Sequence, residues 1–410
     1  MTARPQPLRL ALSSGSEAEL ALCCASVAAS GRGAAGAYAL LGQPIDWERL
    51  ARFAVRHGIL PLVHQTLTSA FDGAMPADAA RNISLQFKAN AMRNLFLARE
   101  LIRLTASLQR AGVATLAFKG PALAVSVYGS VSLRQFVDLD LLVHPEQVVQ
   151  ATGVLHAEGY VAPRGYDTRE IGRRGAFETS MVKPDGRICI DLHWRLAEPY
   201  FPLSMDGEEL WQRAMRVEIE GGEVSTFGFE DHLLYLCGHG ARHGWETLGG
   251  ICDLAQLMRT APLDWGRVCN RAEHLGARRM LLLGLLLAHD LLDAQVPERL
   301  LEAARRDRAV VGAARTFVRY AADTASAGPG LYQRWSIPAR MIERPGERIR
   351  YLAARALFPS ADDHGFVRLP PALAPLYYVL RPLRIALKQS RAAMRRLQPS
   401  GAPSAGNPVR

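Results

Sequence analysis

The sequence predicts an α+β protein, with a small mixed β-sheet between an N-terminal helical region and a C-terminal helical domain. Three observations lead there. The short apolar runs VATLAF, FVDLDLLV, FETSMVK and RICIDLHWRL all fall between residues 113 and 196 and are bounded by turn residues. Helix-period patterns occupy most of the chain on either side. A length of 410 residues, 49% hydrophobic and 21% charged, suits an ordinary soluble globular protein of two or three domains, at a prior of about 150 residues each.

Taken in order, residues 1–45 are rich in Ala, Gly and Ser and hold one helix near Glu17 to Ala29. Asp46 is an N-cap for WERLARFAVRHG, which Gly58 closes. Residues 78–111 read as one long amphipathic helix. The α/β part, 113–205, reads as strand 113–118, helix 121–129, strand 136–143, and helix 145–158 opening at Pro145. A hairpin turning at Pro184-Asp185-Gly186 completes it. Residues 206–360 read as a mostly helical domain. Within them LDWGRVCNRAEHLG (263–276) echoes IDWERLARFAVRHG (45–58), and Met280 to Ala288 reads as a buried helix. Residues 361–410 form a basic tail whose last dozen residues read as disordered.

Bulk composition narrows the function classes. No apolar run reaches the ~18 residues of a membrane span. The basic N-terminus is not followed by a sustained apolar core, so a secretory signal is not expected. The six cysteines show neither CxxC nor disulfide-framework spacing, which suggests reduced, mostly buried thiols and a cytoplasmic protein. The net charge of +10 is carried almost wholly by arginine. Lysine occurs only at Lys88, Lys119, Lys183 and Lys388, so Lys119 beside Gly120 stands out from an ordinary strand-end lysine.

The chemistry centres on residues 116–143. Asp138 and Asp140 are two apart in an apolar strand and would share a face. Two adjacent buried carboxylates repel and lose solvation unless a cation sits between them. Mg²⁺ or Mn²⁺ suits such an oxygen site and in turn holds phosphates. The pair alone is a weak signal, but three features strengthen it. The Lys119-Gly120 turn opens a helix, a natural phosphate-binding end. Arg134 precedes the pair by four residues, and Asp191 lies on a later strand. Three carboxylates beside a phosphate-cradling turn suit two-metal phosphoryl chemistry.

Other residues carry weaker readings. His193 shares a face with Asp191 and would orient it or touch a nucleotide, or else is a structural histidine beside Trp194. Glu178 on the first hairpin strand would face the same site. His239 and His243 have the spacing of a zinc pair, without HExxH or an obvious third ligand; His232 and Asp253 would be arbitrary additions, and the alternative is a helix face lining a cleft. Arg164, Arg169, Arg173 and Arg174 read as a solvated loop or as contacts to an anionic acceptor. The tail after residue 363 has no acidic residue. It suggests peripheral contact with an anionic membrane or nucleic acid, against the plainer reading of a terminal helix packed on the body.

Together these motifs resemble the DNA polymerase β-type nucleotidyltransferase superfamily. Within it, the chain is most similar to a bacterial family of largely uncharacterised nucleotidyltransferases. The residues that carry the resemblance are Lys119-Gly120, Tyr128, Arg134, Asp138-Leu139-Asp140-Leu141-Leu142-Val143 and Asp191-Leu192-His193-Trp194. The helical segment 231–258 adds to it, and the resemblance spans roughly 45–300. Two departures stand out: Lys-Gly replaces the superfamily's Gly-Ser at the phosphate turn, and Val137 replaces a small polar residue. The resemblance implies the nucleotidyltransferase sheet topology and metal-dependent transfer of a nucleoside monophosphate from an NTP, releasing pyrophosphate. The acceptor it leaves open: a small molecule, a sugar, a protein or an RNA end. It implies Asp138, Asp140 and Asp191 as catalytic metal ligands for Mg²⁺ or Mn²⁺. It also implies Lys119, Gly120, Arg134 and His193 at the nucleotide, with Arg134 alternatively a brace. Two other readings compete. One is a DxD glycosyltransferase, which would normally need a larger sheet before the DxD. The other is a non-catalytic nucleotide-binding scaffold.

Overall fold

The computed structural model describes residues 8, 15–162, 177–205, 207–322, 331–358, 363, 366–367 and 369–385. Before the sheet the described residues include α1 Ser16–Ser30, α2 Ala34–Leu41, α3 Trp47–Arg56, α4 Leu60–Ser69 and the 34-residue α5 Ala77–Arg110. The α/β segment runs β1 Thr115–Ala117, α6 Gly120–Tyr128, β2 Leu139–Val143, α7 Val148–Ala157, β3 Glu178–Val182 and β4 Cys189–His193. Beyond it come α8 Glu208–Gln212, β5 Met215–Ile219, β6 Gly222–Thr226, α9 Phe229–His243, α10 Gly249–Thr260, α11 Trp265–His274 and α12 Arg278–Leu292. Further along come α13 Glu298–Arg306, α14 Arg308–Ala322, α15 Leu331–Met341 and α16 Pro345–Leu357. The molecule is therefore α+β, with helices flanking a small mixed sheet.

That sheet has the order β1-β2-β4-β3. Its central pair, β2 and β4, is parallel, and both outer pairs are antiparallel. Alternation divides its residues between two faces. On one face Ala117, Leu139, Leu141, Val143, Met181, Ile190 and Leu192 join a single core with Leu97, Leu101, Leu104 and Leu108 of α5. Those four leucines recur at helical spacing, so α5 lays one apolar stripe under the sheet. Each such buried leucine contributes about 1.5–3 kcal/mol relative to exposure.

Two sequence expectations are corrected. The strand expected over 136–143 begins at Leu139, leaving Asp138 just before it. The helix expected from Pro145 starts as a short 3₁₀ turn, Pro145–Gln147, before α7. Residues 206–360 are mostly helical, as expected, and β5 and β6 form one hairpin within them. Glu220 and Gly221 turn it with φ of 49° and 79°, the left-handed pair of a two-residue hairpin. Ile219 and Val224 join the sheet's core, which gives the hairpin its anchor.

The echo between 45–58 and 263–276 is a shared capping scheme. Asp46 accepts from Arg49 N at 2.9 Å and Asp264 from Arg267 N at 3.0 Å. The helices before and after the sheet also meet. Ser26 of α1 donates to Leu292 O at 2.8 Å, across 266 residues of sequence. None of the six cysteines forms a disulfide among the described residues, and four of them are buried. No helix among the described residues is long and apolar enough to cross a membrane.

Residues 1–347 form one compact unit and 348–410 a second. Within the second, Asp363 is 3% exposed and accepts from Arg381 and Arg384. Arg381 also donates to Arg355 O at 2.8 Å. Two of the tail's arginines thus serve a buried carboxylate. Arg164, Arg169, Arg173 and Arg174, and the chain after residue 385, lie outside the described residues.

Candidate functional site

The opposite face of the sheet collects the polar residues of the same strands. Register places Asp140 beside Asp191 on the two parallel strands and His193 two residues further along β4. On the outer strand, Ser180 lies opposite Asp191 and Glu178 opposite His193. An apolar strand interrupted by polar residues at every second position therefore yields one buried face and one chemical face.

Asp140 is at the centre and is 3% exposed. Its Oδ1 accepts from Lys119 Nζ at 2.9 Å and lies 3.4 Å from His193 Nε2. His193 Nδ1 lies 3.1 Å from Glu178 Oε2, so the imidazole stands between two carboxylates. Asp191 Oδ1 accepts from Ser180 Oγ at 2.6 Å. Burial works against the charge on Asp140, but Lys119 and then His193 outweigh it and hold the carboxyl well below the usual carboxylate range. For Lys119, burial is likewise outweighed by Asp140 and the Tyr235 hydroxyl, which keep the ammonium firmly protonated. Asp138 behaves oppositely. Burial, then the nearby charge of Asp140, pushes its carboxyl up to about 6 despite Lys119.

Gly120 makes the approach of the Lys119 turn possible. Its φ is 52°, and a Cβ there would sit 3.2 Å from Asp138 O. The helix it opens, α6, has no side-chain cap at Lys119. Its first amides are therefore free of a capping side chain, beside a lysine and two carboxylates.

The loop between α6 and β2 is fastened from two sides. From α5, Asn94 donates to Val131 O and Arg134 O, both at 2.7 Å, and Arg93 donates to Phe136 O at 2.6 Å. From α10, Asp253 accepts from Arg134 Nε at 3.0 and 3.2 Å and from Tyr128 OH at 2.9 Å. The Arg134 guanidinium is thus engaged with a buried carboxylate. In the sequence Asp253 stands out only as an arbitrary zinc ligand; the signal that finds it is its three-way contact, 119 residues from Arg134.

Helix α9 supplies a second wall. His232 Nε2 contacts Phe118 O at 3.0 Å, and the rings of Phe118, Phe227 and Tyr235 pack together. Lys119 Nζ lies 5.8 Å from the Tyr235 ring centroid. Further along the helix, Tyr235 OH contacts His239 Nδ1 at 3.3 Å. The His239 and His243 rings lie 4.5 Å apart, and Arg242 bonds both Glu198 and His243 Nε2. These two histidines therefore face aromatic and guanidinium neighbours and lie outside the metal-capable group found among the described residues.

That group is Asp140, Asp191 and His193, each offering a ligand atom within 4.8 Å of the others. It suits a divalent cation. Two carboxylates and an imidazole converge, and Asp140 Oδ2 is buried with no hydrogen-bond partner among the described residues. Asp138 stands next to this group, outside the 4.8 Å set.

A family model described as uncharacterised nucleotidyltransferase matches residues 43–293, from the Asp46 cap to the end of α12. Searches of curated proteins and of solved structures returned no match. With more than half its length matched and the polar sheet face inside that span, the chain belongs to this uncharacterised nucleotidyltransferase family.

Proposed function

We propose that the protein transfers a nucleoside monophosphate from an NTP to a hydroxyl-bearing acceptor and releases pyrophosphate. Asp140, Asp191 and His193, with Asp138 beside them, would hold Mg²⁺ or Mn²⁺. One observation carries the reading: Asp140 and Asp191 stand in register on parallel strands, with Asp140 Oδ2 buried and unpartnered among the described residues. A divalent cation bound there supplies charge neutralisation at the phosphates and makes an acceptor hydroxyl easier to ionise.

The chain's own residues have separable parts. Lys119 offsets phosphate charge while anchoring Asp140. Gly120 brings the start of α6 close to the phosphates, where amide donors and the helix dipole favour anions. His193, whose Nε2 lies 3.4 Å from Asp140 Oδ1 and Nδ1 3.1 Å from Glu178 Oε2, turns a ring nitrogen to the cation beside Asp140 and Asp191. Asp191, with Oδ1 occupied by Ser180, takes the acceptor's proton on Oδ2. Arg134, whose Nε is committed to Asp253, braces the loop that delivers Asp138.

The test is incubation of the full chain with each α-labelled NTP and Mg²⁺ or Mn²⁺, using cell lysate as the acceptor source. Wild type is compared with the Asp138→Ala/Asp140→Ala variant. Label should enter a product only with wild type, and that product identifies the acceptor as small molecule, sugar, protein or RNA. Transfer retained by the double variant overturns the assignment. Release of a nucleoside diphosphate from a nucleotide-sugar would instead point to glycosyl transfer.

A further inference from the structure

The His193 imidazole is poorly satisfied for a buried group. It is 3% exposed, yet neither ring nitrogen makes a hydrogen bond among the described residues. Nε2 faces Asp140, 3.4 Å from Oδ1, and Nδ1 faces Glu178, 3.1 Å from Oε2. Asp140 Oδ2 is buried and unpartnered in the same sense. Native structures leave few such groups without a partner. Here the imidazole and the carboxylate belong to one group with Asp191, each offering a ligand atom within 4.8 Å of the others.

The donor set decides which ion suits it. It holds one nitrogen and two carboxylates rather than carboxylates alone. Mg²⁺ is a hard ion that favours oxygen, whereas imidazole is a ligand of transition ions. Charge, on which a hard ion chiefly depends, is partly offset already, because Lys119 Nζ donates to Asp140 Oδ1 at 2.9 Å. A neutral imidazole gives its lone pair regardless of that offset, and affinity for nitrogen ligands rises from Mn²⁺ through Co²⁺ to Zn²⁺. The ring is also held in place. Strand pairing sets Glu178 opposite His193. The Phe118 ring meets the imidazole edge-on, with centroids 5.1 Å apart and planes at 77°. A carboxylate beside the outer nitrogen of a metal-bound histidine accepts its ring proton and leaves the inner nitrogen free to bind.

We propose that His193 sets the ion selectivity of the polar sheet face. Through Nε2 it makes the centre prefer a transition-metal ion over Mg²⁺, and Glu178 is the positioning residue that fixes its tautomer. This selectivity rests on the reading of that face as a divalent-cation site and names the class of ion it takes.

Pulsed electron paramagnetic resonance of Mn²⁺ bound to the full chain tests it, since a directly bonded nitrogen modulates the spin echo and oxygen ligands do not. Wild type, His193→Asn and Glu178→Gln are compared, with melting temperatures confirming each fold. Wild type labelled with ¹⁵N-histidine assigns the nitrogen without any substitution. Nitrogen modulation is expected in wild type, altered by the label and absent from His193→Asn. In competition titrations wild type should hold Mn²⁺ about tenfold or more tighter than Mg²⁺, and His193→Asn should remove most of that preference. Glu178→Gln should keep the modulation and weaken Mn²⁺ about tenfold. Bound Mn²⁺ without histidine modulation overturns the proposal and leaves the carboxylate site standing. An unchanged Mn²⁺ to Mg²⁺ ratio in His193→Asn does the same. Absence of any Mn²⁺ binding to wild type overturns both the selectivity and the cation site.

Discussion

Gly120 shows how much depends on one position in this site. Its left-handed φ of 52° and the 3.2 Å that would separate any Cβ from Asp138 O leave no comfortable place for a side chain. Gly120→Ala should cost about 1–2 kcal/mol, from the left-handed backbone alone. A matching loss of thermal stability, with NTP binding weakened further than the stability loss explains, is the expected outcome in melts and titrations. Lys119 is tied equally closely to its neighbour. Lys119→Met leaves Asp140 buried without its ammonium, and such broken buried pairs cost about 3–5 kcal/mol. At this scale the sequence is largely legible. Asp140, Asp191, His193 and Gly120 follow from strand alternation and from a glycine at a turn, both local rules. Tyr235 and Asp253 do not, because what assigns them is a contact with Lys119 or Arg134 from a helix far along the chain.

Among the elements, α10 and the α6–β2 loop are joined through Asp253, whose side chain is 3% exposed, and Arg134. Asp253→Leu alone strands the guanidinium and should destabilise by about 3–5 kcal/mol. Adding Arg134→Met should recover most of that, because an apolar pair replaces a buried ionic one. Denaturant unfolding of the single and double variants gives the coupling directly. The β5–β6 hairpin is the element that sequence patterns conceal. Its signal is present: Val217 and Ile219 alternate with Arg216 and Glu218, and Gly221-Gly222 sits at the turn. Helical patterns before and after it outweigh five-residue strands. The start of β2 is displaced for a related reason, since Phe136 and Val137 continue the apolar run while the backbone pairs only from Leu139.

For the molecule as a whole, stability should depend on pH through two buried histidines. Burial lowers both His57 and His232 to about 4. The unfolded chain, with histidines near 6.5, binds more protons than the folded one between those values. Stability is therefore fully present above about pH 6.5 and is lost as pH falls toward 4, by roughly 3 kcal/mol for each ring. Urea melts at about pH 7.5 and about pH 5 should show the fall, and His57→Phe should flatten it. The fold class is legible from the clustering of strand signals in one stretch of the chain. That the helices on both sides of it close on each other, through contacts such as Ser26 to Leu292 O, is not. The central claim is that the polar sheet face holds a divalent cation through Asp140 and Asp191. Mn²⁺ binding to wild type, Asp140→Asn and Asp191→Asn, followed by electron paramagnetic resonance, tests it most directly. The account expects one or two Mn²⁺ in wild type and affinity weakened about tenfold or more in each variant, since each loses an anionic ligand. Equal affinity in all three proteins would contradict it.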